Sequence, residues 1–431
     1  MAESVTIVGA GLAGTLLACY LGKAGRGVEL YERRADPRTA ESERGRSINL
    51  ALSTRGLHAL AEVGLADEVL RAAVKMPGRM IHHLDGSLTY QPYGKDDREV
   101  LHSVSRAGLN RLLVEAAARH PTVRLHFDHR CVHADLDEGR LDFRHQGGVK
   151  QVAASVIVGA DGAHSAVRQA MQRRERFDYS QEYLGHGYKE LSVPPGPGGG
   201  FRMERHALHI WPRGGFMLIA LPNADGSFTC TLFASFEALG EHQNVEALFS
   251  QQFPDAVPLL PDLADQFRGN PTGSLVTVRC HPWHHGGRAV LVGDACHAVV
   301  PFLGQGMNAA FEDCSVLVGC LAKHDSPEAA FAEYGGLRKP HLDALARLCV
   351  DNFLEMRDRV GSRWFVLRKR LSLLLYRLLP GWYRPLYTMI EFSRIPYADA
   401  ERRARRQEWW AAGVAIGLMT VASALLGMLL R

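Results

Sequence analysis

The segment Val5-Thr6-Ile7-Val8-Gly9-Ala10-Gly11-Leu12-Ala13-Gly14 has the pattern of a β-strand that turns directly into a helix. A β-branched run leads into G-x-G-x-x-G, and helix-like apolar content follows over residues 15–21. In such a turn Gly9 permits the sharp bend, Gly11 lets the backbone approach a pyrophosphate, and Gly14 permits close packing of helix on strand. The helix N-terminus presents N–H groups to the anion. The segment therefore predicts a dinucleotide-binding turn.

A second strand is predicted over Val28–Tyr31 and is followed by Glu32-Arg33, with Glu32 lying 23 residues after Gly9. A carboxylate at this position can accept hydrogen bonds from ribose hydroxyls. An acidic residue rather than a basic one favours an unphosphorylated ribose, as in FAD or NAD. The strand–turn–helix–strand order predicts the opening of a doubly wound α/β domain.

Two further motifs distinguish between these dinucleotides. Asp161-Gly162 follows an apolar strand, and Asp294 follows the buried run Val290-Leu291-Val292-Gly293. A carboxylate after a buried strand can bond a ribityl hydroxyl, and Gly304-Gln305-Gly306-Met307-Asn308 can open a helix whose N–H groups face a flavin. Each aspartate could instead be a turn or cap residue. The three motifs in this order favour FAD.

Length and composition exclude several other classes of protein. The chain has 431 residues, which suggests two or three domains. With 46% hydrophobic and 22% charged residues it has the balance of a globular protein rather than a disordered or fibrous one. A net charge of +4 does not require a nucleic-acid partner. The eight cysteines form no C-x-x-C pair and are interpreted as reduced thiols. No metal site is expected.

The chain is divided by the changing character of its segments. Residues 1–175 and 270–325 are predicted to form a discontinuous FAD-binding domain. Residues 176–269 are predicted to form a mainly antiparallel substrate-domain sheet, and residues 326–400 a helical C-terminal region. Residues 409–431 are predicted to form a membrane anchor, ending in a transmembrane helix.

The predicted anchor contains 20 uncharged residues, 411–430, preceded by Trp409-Trp410 and four arginines within residues 402–406. As a helix this length spans about 30 Å, enough to cross the hydrocarbon core. Aromatic residues and arginines are typical of such a boundary. A packing helix, or a helix lying on the membrane surface, is the alternative. The prediction is a tail anchor with the catalytic part in the cytoplasm.

The motifs together resemble the single-component, class A flavoprotein aromatic hydroxylases over residues 4 to about 320. The resemblance implies a bound FAD, NADPH as co-substrate and O₂. It also implies that Asp161 lies near both nucleotides. Eukaryotic members have a C-terminal membrane segment, so the tail would lie in the mitochondrial outer membrane, or in the inner membrane of a bacterium.

Further segments are similar to those of the members that hydroxylate L-kynurenine. These are residues 44–53, Gly78-Arg79-Met80-Ile81-His82, Gln91-Pro92-Tyr93-Gly94, Ser103-Val104-Ser105-Arg106, residues 300–308, residues 352–357 and residues 385–394. One departure is Leu303, where the family pattern has a second phenylalanine. A lost aromatic ring there would change pocket shape without removing a polar group.

The resemblance implies three sets of site residues. Arg79, Tyr93, Asn352 and Tyr387 match positions that hold the amino-acid head group of L-kynurenine. The cofactor-binding set comprises Gly9, Gly11, Gly14, Glu32, Arg33, Ala51, Arg106, Asp161, Asp294, Met307 and Asn308. The catalytic set is Pro301, Phe302 and Gln305. From the residues alone, Arg79 could equally be a surface arginine, Asn352 a polar helix residue and Tyr387 a core residue.

The reaction implied is hydroxylation to 3-hydroxy-L-kynurenine through a flavin C4a-hydroperoxide, as part of tryptophan degradation and pyridine nucleotide biosynthesis. A class A hydroxylase of another aromatic substrate is the first alternative. A non-catalytic FAD-fold binding protein is a more distant one. The sequence does not give the oligomeric state.

Overall fold

The computed structural model describes residues 4–39, 49–240, 244–358, 363–410 and 413. Two predicted features fall at least partly outside these ranges. In the segment 44–53, residues 44–48 lie outside the described ranges. In the uncharged tail 411–430, every residue except Gly413 lies outside them.

The described strands are numbered along the chain: β1 Val5–Val8, β2 Val28–Tyr31, β3 Asn49–Leu52, β4 Val74–Met76, β5 Gly78–His82, β6 Leu88–Pro92, β7 Leu101–Ser105, β8 Val123–His126, β9 Arg130–Asp135, β10 Arg140–His145, β11 Gly148–Ala153, β12 Val156–Gly159, β13 Asp178–Val193, β14 Ala207–Pro212, β15 Met217–Pro222, β16 Phe228–Ser235, β17 Gly273–His281, β18 His284–His285 and β19 Ala289–Leu291.

The described α-helices are α1 Leu12–Lys23, α2 Thr54–Glu62, α3 Ala66–Arg71, α4 Arg106–Ala118, α5 Ala166–Gln172, α6 Val245–Gln252, α7 Leu263–Gly269, α8 Asp294–His297, α9 Gly306–Lys323, α10 Pro327–Asp358, α11 Arg363–Leu378 and α12 Leu386–Glu391. Residues 397–410 are also helical. Short 3₁₀ turns cover Pro197–Gly199, Val257–Leu259 and Pro301–Leu303.

The first sheet has the order β18-β19-β12-β1-β2-β8, and all neighbours are parallel except β18 and β19. All four residues of β1 are buried, as the centre of a parallel sheet requires. Val5 pairs with Val28 on one side and Val156 on the other. The carboxyl ends of β1 and β12 therefore meet, and the Ala160 amide donates to the Val8 carbonyl at 2.8 Å. The predicted α/β nucleotide-binding fold is confirmed.

The second large sheet has the order β17-β13-β16-β15-β14-β5-β6. Its neighbours are antiparallel except for β14 and β5, which are parallel and pair Leu208 with Arg79. The sheet therefore takes strands from residues 78–92 and 273–281 as well as from 176–269. This pairing brings Arg79 beside the sheet. The division of the chain into domains stays a prediction.

Two three-stranded sheets, β11-β10-β9 and β3-β7-β4, complete the described strands. The sequence pattern does not predict the exposed strand β11. The residues of β11 are almost all exposed, so they carry no alternation of apolar and polar residues to mark a strand. In the described ranges, no helix combines the length and the apolar character that crossing a membrane requires.

Candidate active site

The glycine-rich turn after β1 is shaped by contacts that exclude side chains. Gly9 has φ +105°, and a Cβ there would lie 2.5 Å from the Ala160 carbonyl oxygen. A Cβ on Gly14 would lie 2.0 Å from the Gly9 oxygen. A Cβ on Gly11 would meet no atom of the described chain within 4 Å. The turn is therefore closed by protein at Gly9 and Gly14 and open at Gly11, as a pyrophosphate requires.

The Glu32 carboxylate holds this turn in place. Its Oε2 accepts a 2.8 Å hydrogen bond from the Ala10 amide, and its Oε1 accepts one of 3.0 Å from the Arg34 amide. Each carboxylate oxygen can accept a second bond, which leaves acceptor capacity for ribose hydroxyls. No described side chain caps the N-terminus of α1. Its first N–H groups are thus available to an anion.

The Asp161 and Asp294 motifs are joined by Arg168. The Arg168 guanidinium donates to the Ala295 carbonyl at 2.8 Å and to the Ala163 carbonyl at 2.6 Å. Asp161 Oδ2 accepts from the Ala166 amide at 2.7 Å, whereas its buried Oδ1 has no hydrogen-bond partner among the described residues. Burial raises the pKa of Asp161. The available N–H groups at the start of α1, the open Gly11 and the unpartnered oxygen of Asp161 together fit a flavin dinucleotide.

A cavity of about 400 Å³ lies beside the nucleotide turn. Its walls are mostly apolar, and they include residues from the turn, the second large sheet and the C-terminal helices. Most predicted site residues line it: Gly11, Ala51, Arg79, Tyr93, Arg106, Asp294, Pro301, Phe302, Met307, Asn352 and Tyr387. Leu303, the departure from the family pattern, lines it too.

Arg79, Tyr93 and Tyr387 are polar residues of the cavity whose side-chain contacts the structure gives. Arg79 Nε donates to Gln91 Oε1 at 2.6 Å, which fixes the guanidinium. The rings of Tyr93 and Tyr387 stack with centroids 5.4 Å apart. The buried Tyr93 hydroxyl has no hydrogen bond of normal geometry within the described chain. Burial raises the pKa of both phenols, so both remain neutral donors at physiological pH.

The loop between α8 and α9 is fixed by Asn308. Its Nδ2 donates to the carbonyls of Ala51 and Gly304, both at 2.9 Å, and its Oδ1 accepts from the Ser53 amide at 2.9 Å. Gly304 has φ +64°, which a glycine adopts without strain. The first residues of α9 then line the cavity, at the positive end of the helix dipole.

The remaining predicted residues do not line the cavity among the described contacts. They are Gly9, Gly14, Glu32, Arg33, Asp161, Asn308 and Gln305. Six of them belong to the nucleotide motifs or, in the case of Asn308, brace the loop. Gln305, predicted to be catalytic, has both ends of its side chain engaged by other residues. It is fully buried, its Nε2 donates to Glu391 Oε2 at 2.6 Å, and its Oε1 accepts from the Tyr397 hydroxyl at 2.8 Å.

The sequence interpretation missed two parts of the site. One is the sheet wall formed by Met217, Ile219 and Leu221 of β15. Their spacing of two residues puts them on one face of a strand, so the alternation could have identified them. The other is Glu391, a fully buried carboxyl that no local pattern marks.

Comparison with known proteins identifies the family. The family model described as FAD binding domain matches residues 2–347. A kynurenine 3-monooxygenase of Myxococcus xanthus is 50% identical over 403 residues, 92% of this chain and 87% of that protein. The enzymes of the same name from Salinispora tropica and Dictyostelium discoideum are 48% and 46% identical over 98% and 93% of this chain, and 96% and 90% of those proteins.

Solved structures support the same fold. The tetrameric form of 2-methyl-3-hydroxypyridine-5-carboxylic acid oxygenase superposes with a TM-score of 0.69 at 23% identity, covering 89% of this chain and 98% of that one. The p-nitrophenol 4-monooxygenase of Pseudomonas putida gives 0.68 at 19% identity, covering 87% and 94%. The chain therefore belongs to the FAD-binding monooxygenases and, within them, to the kynurenine 3-monooxygenase family.

Proposed function

We propose that the chain hydroxylates L-kynurenine to 3-hydroxy-L-kynurenine with NADPH and O₂. One observation carries the proposal. A single cavity is bordered by the nucleotide turn at Gly11, by the flavin-motif residue Asp294, and by Arg79 and Tyr387. Relatives at 46–50% identity named kynurenine 3-monooxygenase support the substrate.

The cofactor would be held by residues of the three nucleotide motifs. These are Gly9, Gly11, Gly14, Glu32, Arg33, Ala51, Arg106, Asp161, Asp294, Met307 and Asn308. When bound, FAD supplies the redox chemistry, taking a hydride from NADPH and activating O₂. The chain's own contribution is to hold the substrate ring, exclude water and stabilise charge on the flavin side of the cavity.

The head group of the substrate would be held by Arg79, Tyr93, Asn352 and Tyr387. A guanidinium pairs well with an α-carboxylate, often through two parallel hydrogen bonds. Arg79 is suited to this because Gln91 occupies its Nε and leaves the terminal nitrogens for the ligand. The two neutral phenols add donors close to the same point.

The ring to be hydroxylated carries an amino group that supplies electron density, so no strong protein base is needed. The described lining contains no histidine, lysine or glutamate, and its carboxyl group, Asp294, belongs to the flavin motif. Pro301 and Phe302, together with the apolar sheet wall, would keep water from the reacting carbon. Gln305 would act by holding the loop, because its side chain is engaged by Glu391 and Tyr397.

A series of substrates separates this proposal from hydroxylation of another aromatic compound. L-kynurenine should stimulate NADPH oxidation and be hydroxylated. 2-Aminoacetophenone, which keeps the ring amine and ketone but lacks the amino-acid head group, should stimulate it far less. Equal stimulation by both compounds, or preference for a phenolic acid, would favour a class A hydroxylase of another aromatic substrate. A protein that cannot take up FAD would favour a non-catalytic binding protein.

We also propose that residues 411–430 anchor the chain in a membrane. Exposed aromatic residues near the start of this segment support the proposal, since Trp382, Trp409 and Trp410 are each at least 75% exposed. They belong to one neighbourhood, because Gln407 Nε2 donates to the Trp382 carbonyl at 3.4 Å. Tryptophan is enriched where protein meets the membrane interface.

The neighbouring helix α11 adds an apolar stripe to the same surface. Four exposed leucines lie on one face of this helix: Leu367, Leu371, Leu374 and Leu378. Arg368 of α11 pairs with Glu408 at 3.5 Å, which joins the helix to residues 397–410. Deleting residues 411–431 should move the protein from the membrane fraction to the supernatant. An unchanged distribution would exclude the anchor.

A further inference from the structure

Glu391 is a buried carboxyl group behind the loop that lines the cavity. It is the last residue of α12, and its side chain is completely inaccessible to solvent. The same short helix carries Tyr387, one turn earlier, which lines the cavity. Neither Glu391 nor its hydrogen-bond partner Gln305 lines the cavity within the described chain. The carboxyl therefore lies between two walls of the site without belonging to either.

Gln305 connects this carboxyl to the cavity loop. Its amide nitrogen donates to Glu391 at 2.6 Å, and its amide oxygen accepts from the Tyr397 hydroxyl at 2.8 Å. Gln305 is fully buried and sits immediately before α9, between Gly304 and Gly306. Both glycines line the cavity. The two hydrogen bonds of Gln305 thus fix the backbone of the loop from behind.

The charge balance around Glu391 favours the neutral acid. Only the amide of Gln305 donates to it among the described residues, and its Oε1 has no partner there. Arg55 is the nearby cation, but it pairs with Glu312 at 2.7 Å. A buried carboxylate with a single neutral donor is costly. Burial raises the pKa of Glu391 to about 8, although Arg55 and Gln305 oppose the shift.

The other ionisable groups near this carboxyl come from several elements. They are Tyr93 after β6, Cys349 on α10, Tyr387 on α12 and Tyr397 at the start of the 397–410 helix. Burial raises the pKa of each, so all four are neutral near pH 7. Arg55 packs over the Tyr397 ring with 4.1 Å between its Cζ and the ring centroid.

We infer that Glu391 is a positioning residue that fixes the loop of residues 301–306 against the Tyr387 helix through Gln305. The loop and the helix form two walls of the cavity, one beside the flavin motifs and one beside the proposed head-group site. Because the loop and the helix are fixed to each other, binding of a head group beside the helix also affects the loop. The assignment of these two walls to flavin and substrate rests on the proposed function.

The test compares three variants of the full chain. Glu391→Leu removes the acceptor of the Gln305 amide. Glu391→Gln keeps an acceptor oxygen, a neutral charge and the shape. Thr388→Val is the matched control, because Thr388 lies on the same helix, is buried, and has a hydroxyl without a partner among the described residues. The readouts are hydrogen exchange of the amides of residues 302–306 without substrate, and hydrogen peroxide released per NADPH with L-kynurenine.

Glu391→Leu should speed exchange in residues 302–306 by about tenfold, the effect of losing one buried hydrogen bond, and should raise peroxide release. Glu391→Gln and Thr388→Val should exchange as the parent protein does. Wild-type exchange in Glu391→Leu, or equally fast exchange in Glu391→Gln, would overturn the inference. If Glu391→Leu does not fold, Gln305→Met and Tyr397→Phe are compared instead, since the first loses both hydrogen bonds of Gln305 and the second loses only the one from Tyr397. Exchange in Gln305→Met no faster than in Tyr397→Phe would overturn the inference.

The exchange measurement uses no substrate, so it gives its answer even if L-kynurenine proves not to be the substrate. Failure of L-kynurenine to stimulate NADPH oxidation in the parent protein would overturn the proposed function and leave the exchange result intact. The two failures are therefore distinguishable.

Discussion

The side-chain amide of Asn352 donates a 2.7 Å hydrogen bond to the backbone carbonyl of Phe302. This bond joins α10 to the 3₁₀ turn at Pro301–Leu303, and both residues line the cavity. Asn352, proposed to contact the substrate head group, therefore also braces the loop that shapes the ring end of the cavity.

Asn352→Asp tests whether Asn352 both contacts the substrate head group and braces the loop at Phe302. The carboxylate cannot donate to the Phe302 carbonyl and would repel both that oxygen and a substrate carboxylate. We expect a higher KM for L-kynurenine together with more hydrogen peroxide per NADPH. Steady-state kinetics with peroxide detection measures both. A higher KM with unchanged coupling would contradict the bracing role.

Arg79→Ala should raise the KM for L-kynurenine far more than it weakens FAD binding. Loss of a charged hydrogen-bonding partner costs about 1.5–3 kcal/mol, or roughly 10- to 100-fold in KM. Arg79→Lys keeps the charge but loses the planar fork, so its KM for L-kynurenine should lie between those of the parent protein and Arg79→Ala. Titration of the apoprotein with FAD measures the affinity for the cofactor. Equal losses of substrate and FAD affinity would contradict the assigned role.

Gly14→Ala should prevent FAD binding, because its Cβ would lie 2.0 Å from the Gly9 carbonyl oxygen in the turn. The matched control is Gly319→Ala in α9, where a Cβ would meet no described atom within 4 Å. That control should retain FAD and gain about 0.5–1 kcal/mol of stability from the better helix former. Visible flavin absorbance of the purified proteins reports the result. A fully yellow Gly14→Ala protein would exclude the proposed packing.

Asp313 is predicted to be a main determinant of acid stability. It is fully buried, with Oδ1 2.7 Å from Arg338 Nε and Oδ2 2.5 Å from His297 Nε2. Burial alone would raise its pKa, but His297 and Arg338 outweigh burial and lower it. Its contribution to stability is therefore present above the ordinary pKa of an aspartate and is lost as pH falls through the lowered value.

Asp313→Asn should cost about 1.5–3 kcal/mol at neutral pH, the value of a hydrogen bond to a charged group, because the buried Arg338 keeps Glu312 as its second carboxylate partner at 2.5 Å. It should also reduce the loss of stability in acid. Denaturant unfolding of holoprotein at neutral and acidic pH measures both effects. A cost below about 1 kcal/mol, the value of an exposed ion pair, would contradict the role.

Glu391 should give stability the opposite dependence on pH. Its pKa is raised from an ordinary 4.5 to about 8, so between these values the folded state binds more protons than the unfolded state. The free energy of unfolding should therefore fall as pH rises across that window, by up to about 1.4 kcal/mol per pH unit. Glu391→Gln should flatten this slope, as measured by urea unfolding at several pH values. An identical slope in the variant would show that the group is already ionised.

The fold was predictable where local sequence and local structure carry the same signal. The strand at residues 5–8, the turn at Gly9–Gly14 and the helix that follows the turn could be predicted from β-branching, glycine spacing and apolar content. Asp161 and Asp294 could also be linked to the turn, because parallel strands bring their carboxyl ends to one edge of a sheet.

The rest of the fold and of the candidate site depends on contacts between residues far apart in sequence. Strand β5 joins β14 across more than a hundred residues, and nothing in Gly78–His82 specifies that partner. Gln305 lies in a motif that suggests a flavin contact, yet its side chain turns to Glu391 and Tyr397, 86 and 92 residues later. A buried carboxyl such as Glu391 leaves no periodic signal, since its position is set by tertiary packing.

The central claim is that one cavity holds flavin and L-kynurenine together so that NADPH oxidation is coupled to hydroxylation. The most direct measurement is the yield of 3-hydroxy-L-kynurenine per NADPH oxidised by the purified, FAD-loaded protein. The account predicts oxidation that is stimulated by L-kynurenine and yields close to one product molecule per NADPH. NADPH oxidation that L-kynurenine does not stimulate, or stimulated oxidation that yields only hydrogen peroxide, would contradict it.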